Sequence, residues 1–241
     1  MIKLSEMTGK ILIFCCIFIA AVCANSSADV DFDSPSTDTE ARGVEILKML
    51  EEKYQETKTI YGEFKQLKVS EWFLEEIHSE GKFWYEKPGR FRCEYLPPNE
   101  QVNLVLDDMA YVYIPDIKQV EIYHFKTGAG PVRKLNQMLL GFGVSVKDVL
   151  DVYNVNWLPE EQTEDTLALV FRPKSREEGL SFKAIKMWIS RSALLPQRLV
   201  FLEDTGDRTE IDILEVEFNK KIKDSVFEPD FPDDAEVIEQ N

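Results

Sequence analysis

From residue 60 onward the chain alternates apolar and polar side chains. Ile60, Gly62 and Phe64 interleave with Tyr61, Glu63 and Lys65. Gly81, Phe83 and Tyr85 interleave with Lys82, Trp84 and Glu86, and Phe91, Cys93 and Tyr95 with Arg90, Arg92 and Glu94. A period of two is that of a strand with one face on a core. Val102, Leu104 and Leu106 continue it, and further strands are expected over 111–114, 119–125, 166–172, 182–190, 196–203 and 208–218. Turn chemistry separates them: Lys87-Pro88-Gly89, Pro97-Pro98-Asn99-Glu100, Asp107-Asp108, Pro115-Asp116 and the hairpin signal Asp204-Thr205-Gly206-Asp207. Short strands joined by tight turns predict an antiparallel meander. A proline-broken tail follows from Phe227-Glu228-Pro229.

The period changes to helical in two places. Val44, Leu47, Leu50 and Tyr54 recur at steps of three and four, which predicts a helix opening at Thr39 and running to about residue 57. In the middle, Gly128-Ala129-Gly130-Pro131 leads into a short helical stretch over 132–140. Gly141-Phe142-Gly143 then interrupts it, and a second helix is expected over 144–153, opening at Ser145. This insert is apolar and flanked by glycines. Its pattern fits a lid over the sheet and a piece of core equally well. The fold class is therefore mainly β with helices, in one domain and without internal repeats.

The N-terminus reads as an export signal. Lys3 and Lys10 give a positive flank, residues 11–22 are apolar but for two thiols, and small residues follow. About a dozen apolar residues suit a signal peptide and fall short of the roughly twenty that span a bilayer. Cleavage fits after Ala24 or after Ala28, and lipidation at Cys23 is an alternative with a poor sequence context. The expected organisation is a signal peptide over 1–24, a flexible leader over 25–40 and a folded domain over 41–241. With Cys15, Cys16 and Cys23 in the signal, Cys93 alone remains, so no internal disulfide is expected.

Charge and chemistry narrow the function. The formal net charge of the 241-residue chain is −16, and no long basic block occurs, so nucleic acid is not an expected partner. There are two histidines, His78 and His124, without partners at metal spacing. No HExxH, CxxC or GxSxG motif is present. Cys93 sits in an alternating strand, where a buried structural thiol is expected. Neither catalysis nor a cofactor is expected from this inventory. What the chain has in quantity is large apolar groups: fifteen Phe, eight Tyr, four Trp and six Met. A curved sheet can use them to line a cavity. An acyl chain of about sixteen carbons gains roughly 0.8 kcal/mol per buried methylene, so about 10 kcal/mol is accessible to such a site.

The block from Gly81 to Tyr95, GKFWYEKPGRFRCEY, resembles the LolA-type outer-membrane lipoprotein carrier family, which has a strand, a basic residue with proline, and a strand of this kind. The likeness continues through Pro97 to Gln101, Tyr111 to Val120, Leu195-Pro196-Gln197-Arg198, Asp204 to Ile211, Val216-Glu217-Phe218-Asn219 and Val226-Phe227. The resemblance implies an unclosed antiparallel β-barrel covered by a helical lid over an apolar cavity. It implies a periplasmic carrier of acylated lipoproteins, loaded by an inner-membrane lipoprotein-releasing ABC transporter and unloaded at an outer-membrane acceptor. The carrier is expected to act as a monomer. A lipid- or lipoprotein-sensing module on the same fold is the alternative. Expected lipid-binding residues are Phe83, Tyr85, Phe91, Tyr95, Leu104 and Leu106 on the strands, and Leu135, Met138, Leu139 and Phe142 in the lid. Lys87 matches the family's basic residue before proline, often arginine, and is expected to latch the lid, although lysine lacks arginine's planar fork.

Overall fold

The computed structural model describes residues 37–70, 75–106, 109–124, 145–175 and 182–240. Helix α1 (Thr37–Tyr54) is followed by six strands: β1 (Thr59–Ser70), β2 (Glu75–Glu86), β3 (Arg90–Tyr95), β4 (Gln101–Leu106), β5 (Met109–Ile114) and β6 (Gln119–His124). After helix α2 (Val146–Val152) come β7 (Tyr153–Trp157), β8 (Thr166–Pro173), β9 (Phe182–Ser190), β10 (Pro196–Glu203), β11 (Arg208–Phe218) and β12 (Glu236–Gln240). All twelve strands form one sheet in the order β12-β6-β5-β4-β3-β2-β1-β11-β10-β9-β8-β7.

That order is two meanders joined once. From β1 the chain steps outward through hairpins to β6, and from β7 it steps inward to β11, which pairs antiparallel with β1. The β1–β11 pairing is the long-range contact that makes one sheet of two. Opposite Glu63 and Phe64 of β1, strand β11 carries a bulge whose extra residue, Leu214, is half exposed. The two outermost strands, β12 and β7, do not pair with each other, so the barrel is not closed.

The helix begins at Thr37, inside the segment 25–40 expected as a leader. Thr39 therefore lies within the first turn, and its hydroxyl receives the Asn156 amide instead of capping the helix. The second helix opens as expected: Ser145 is its N-cap and accepts a hydrogen bond from the Asp148 N–H. Two strands were not expected. β7 follows α2 without a break, and β12 forms in the tail by pairing parallel with β6.

Helix α1 lies on the sheet near its open edge. Ile46, Leu47, Leu50 and Tyr54 are buried, with the charged residues turned outward. Gly43 faces the β7 backbone: a Cβ there would stand 3.0 Å from the Val155 carbonyl oxygen and 3.2 Å from the Trp157 nitrogen. The absent side chain lets helix and strand approach, and the approach helps cover an edge strand that would otherwise be exposed.

Candidate functional site

Register sorts every strand residue onto one of two faces, because directly paired residues share a face. The inner face, on which α1 and α2 pack, carries the row Phe218–Ile60–Tyr85–Phe91–Val105–Ala110 and the row Val155–Phe171–Ile185–Phe201. These side chains and the buried residues of α1 form one apolar cluster. Ile46, Ile60, Val155, Phe171, Ile185 and Phe201 are completely inaccessible to solvent. In this state the face is filled by the protein's own side chains.

Four of the expected lipid-binding residues lie in this cluster. Phe83, Tyr85 and Phe91 are buried members, and Tyr95 packs against them edge-on to Phe64, with ring centroids 5.3 Å apart. The Tyr95 hydroxyl donates to the Gln66 side-chain oxygen at 3.0 Å. Leu104 and Leu106 require correction. Leu104 pairs with Arg92 and Tyr111, and Leu106 with Met109, so both project from the opposite face. Strand β4 reads Val102-Asn103-Leu104-Val105-Leu106, with apolar residues at both parities, and its inward members are Asn103 and Val105. The lid residues Leu135, Met138, Leu139 and Phe142 lie outside the described residues.

The opposite face is covered differently. Ion pairs cross it, among them Lys82–Glu63, Lys65–Glu80 and Arg92–Glu94. The tail then runs over β3 to β6. The Arg90 guanidinium stacks 4.8 Å from the Phe227 ring centroid, and Arg92 donates to the Val226 carbonyl at 3.2 Å. Phe231 contacts the rings of Tyr111 and Tyr113 at 6.0 and 5.5 Å. Leu104 is fully buried on this side, as part of the footing for the tail.

The end of α1 is held from two sides. The Lys87 ammonium donates to the Tyr54 carbonyl oxygen at 2.8 Å and to that of Gln55 at 3.2 Å. A cation on the last carbonyls of a helix satisfies groups that have no partner within it and meets the negative end of its dipole. Partial burial lowers the Lys87 pKa from its usual value. From the other side, the Tyr54 hydroxyl donates to the Leu194 carbonyl at 2.7 Å, in the turn between β9 and β10. Leu194 sits there with φ of 52°. Helix α2 is tied in as well, its Val146 N–H donating to the Glu51 carboxylate at 3.0 Å. Sequence reasoning singled out Lys87 as a latch for the lid of residues 135–142, which lies outside the described residues; the acceptors described are at the end of α1 instead. Sequence reasoning missed the β8–β10 half of the inner face, where Leu169, Phe171, Ile185, Met187, Leu199 and Phe201 are buried.

Burial raises the Cys93 thiol well above its ordinary pKa, with Glu94 adding to the effect. Among the described residues, no group of His, Cys, Asp and Glu is arranged to hold a metal, and no helix is long and apolar enough to cross a membrane. The arrangement offers apolar side chains and a helix whose C-terminal end is tethered by a few hydrogen bonds.

Residues 55–230 match the family model described as outer membrane lipoprotein carrier protein LolA. An outer-membrane lipoprotein carrier protein of Legionella pneumophila (strain Paris) is 26% identical over 192 residues, covering 80% of this chain and 89% of that protein. Another of the same name from Chromohalobacter salexigens is 28% identical over 162 residues, covering 67% of this chain and 71% of that protein. An uncharacterized conserved protein from Thermus thermophilus shares the fold at a TM-score of 0.51 and 14% identity, over 81% of this chain and 98% of that one.

Proposed function

Because the chain belongs to the LolA family of outer membrane lipoprotein carrier proteins, we propose that it is a periplasmic carrier, binding the acyl chains of lipoproteins on its inner apolar face. In this reading residues 1–24 are removed on export, and the carrier domain begins with α1 at Thr37. Lipoproteins enter from an inner-membrane ABC-type releasing complex and leave at an outer-membrane acceptor. No covalent step is involved.

The observation that carries the proposal is the self-filled inner face beneath α1. Ile46, Leu50 and Tyr54 occupy apolar space that acyl chains would take over. Inserting a chain exchanges one set of apolar contacts for another, so the net gain is far below the gross burial energy of the lipid. A carrier needs that balance, since it must release what it binds. Phe83, Tyr85, Phe91 and Tyr95 are the proposed acyl contacts on the strands. Lys87 is the proposed latch, acting through the end of α1.

The test is direct binding. A synthetic triacylated lipopeptide added from dilute detergent is expected to co-elute with the mature protein as a one-to-one complex, and to displace an apolar fluorophore from it. A protein that binds neither the lipopeptide nor the fluorophore contradicts the proposal.

A further inference from the structure

The inner face is not wholly apolar. Gln66, Lys68 and Thr209 project onto it and are almost completely buried, Thr209 at 0% exposure. Lys68 on β1 stands directly opposite Thr209 on β11, and Phe201 on β10 lies beside Thr209 in the same row. The Thr209 side-chain oxygen has no hydrogen-bond partner. Among the described residues the other buried side-chain polar atoms in this condition are the Tyr153 hydroxyl and the Trp157 indole nitrogen, and both belong to the inner-face cluster or pack against it.

A buried hydroxyl without a partner is destabilising, and native proteins leave few of them. Valine has the same shape as threonine and would fill this position without that cost. The three atoms share one chemistry. Each can donate a hydrogen bond, and the indole nitrogen can only donate. A buried donor without a partner, as at Thr209, suits a ligand that brings an acceptor into an apolar space. Acyl chains do so at one place, the ester or amide carbonyl that joins them to the rest of the lipid.

We infer that the inner face carries a polar subsite centred on Thr209 that receives the carbonyl oxygen of an acyl linkage. The inference rests on the carrier reading for the identity of the lipid and on the unpartnered hydroxyl for its position. Alkyl contacts set the affinity, and the donor at Thr209 sets how deep a chain sits. Ester carbonyls occur in acylated lipoproteins and in diacyl phospholipids alike.

The test compares wild type with Thr209→Val. A triacylated lipopeptide is titrated beside an analogue whose ester and amide carbonyls are replaced by methylenes, and beside a diacyl phospholipid. The variant is expected to bind the lipopeptide about five- to tenfold more weakly, the worth of one hydrogen bond, and the carbonyl-free analogue equally well. Thr209→Ser is expected to restore the lipopeptide affinity. An equal loss on the phospholipid assigns the subsite to the shared ester chemistry, and a loss confined to the lipopeptide assigns it to the lipoprotein. Unchanged lipopeptide affinity, or the same loss on the carbonyl-free analogue, overturns the inference. If wild type binds none of these ligands, the carrier reading fails, and unfolding of the ligand-free proteins still decides the subsite. Thr209→Val is expected to be at least as stable as wild type, because it deletes an unsatisfied group; a clearly destabilised variant means the hydroxyl is already satisfied and overturns the inference.

Discussion

The Lys87 ammonium and the Tyr54 carbonyl oxygen are 2.8 Å apart, so the turn between β2 and β3 caps the C-terminus of α1. This joins a residue singled out from the sequence to the helix that covers the inner face. Replacing Lys87 with methionine keeps the aliphatic stem and removes the donor. The expected cost is about 1–2 kcal/mol of helix docking. Amide exchange should accelerate in residues 37–55 more than in β8–β10. If lipopeptide loading and release are also unchanged in the Lys87→Leu protein, Lys87 is not a latch.

Tyr54 ties the same helix end to the β9–β10 turn through its hydroxyl and Leu194. Tyr54→Phe removes that bond and leaves the ring, which lies 5.8 Å from Phe218, in place. A loss of about 1 kcal/mol in urea unfolding is expected. Because both substitutions act on one helix end, the double variant with Lys87→Met should depart from additivity.

Gly62 lets two strands' contents close over it. A Cβ at this position would fall 2.3 Å from the Phe83 ring and 2.8 Å from the Glu215 carbonyl oxygen. The backbone contact cannot be relieved by a rotamer change. Gly62→Ala is expected to cost about 2 kcal/mol or more, measured as a shift in the denaturation midpoint, and to displace Phe83 from the inner face.

Cys93 supplies a pH prediction. Its folded pKa is raised above the ordinary 9.0 by burial first and by Glu94 second. The stability this represents is therefore fully present below pH 9 and is lost as pH rises beyond it. At pH 8 the Cys93 thiol should stay unlabelled by a thiol reagent in native buffer and label promptly in denaturant. Above pH 9, unfolding free energy should fall more steeply in wild type than in Cys93→Ala.

Phe231 pins the tail against Tyr111 and Tyr113 on the face away from the proposed lipid contacts. Phe231→Ala should raise protease sensitivity within residues 219–240 and leave lipopeptide affinity unchanged. A large affinity loss would mean that the tail belongs to the binding surface.

The strands bounded by strong turn chemistry were legible to the residue. β9, β10 and β11 run over 182–190, 196–203 and 208–218 as the alternation predicts. β7 carries the signal in Tyr153, Val155 and Trp157, but it is five residues long and abuts a helical pattern. β12 carries almost no signal, since its residues are mostly exposed, and its pairing is supplied by β6 from far along the chain. The candidate site divides in the same way. Strict alternation placed Phe83, Tyr85, Phe91 and Tyr95 together. In β4 both parities are apolar, so alternation could not choose between them: Leu104 and Leu106 lie on the face opposite Phe83, and the inward residues are Asn103 and Val105. Composition cannot show that Thr209 is buried without a partner, because that depends on neighbours brought by β1 and β10.

The central claim is that this chain carries lipoproteins and does not merely sense lipid. Incubating the mature protein with spheroplasts and assaying the supernatant tests it most directly. The account predicts lipoproteins released into solution as one-to-one complexes with the protein. A protein that binds lipopeptide yet leaves every lipoprotein in the membrane would contradict the carrier and indicate a sensor.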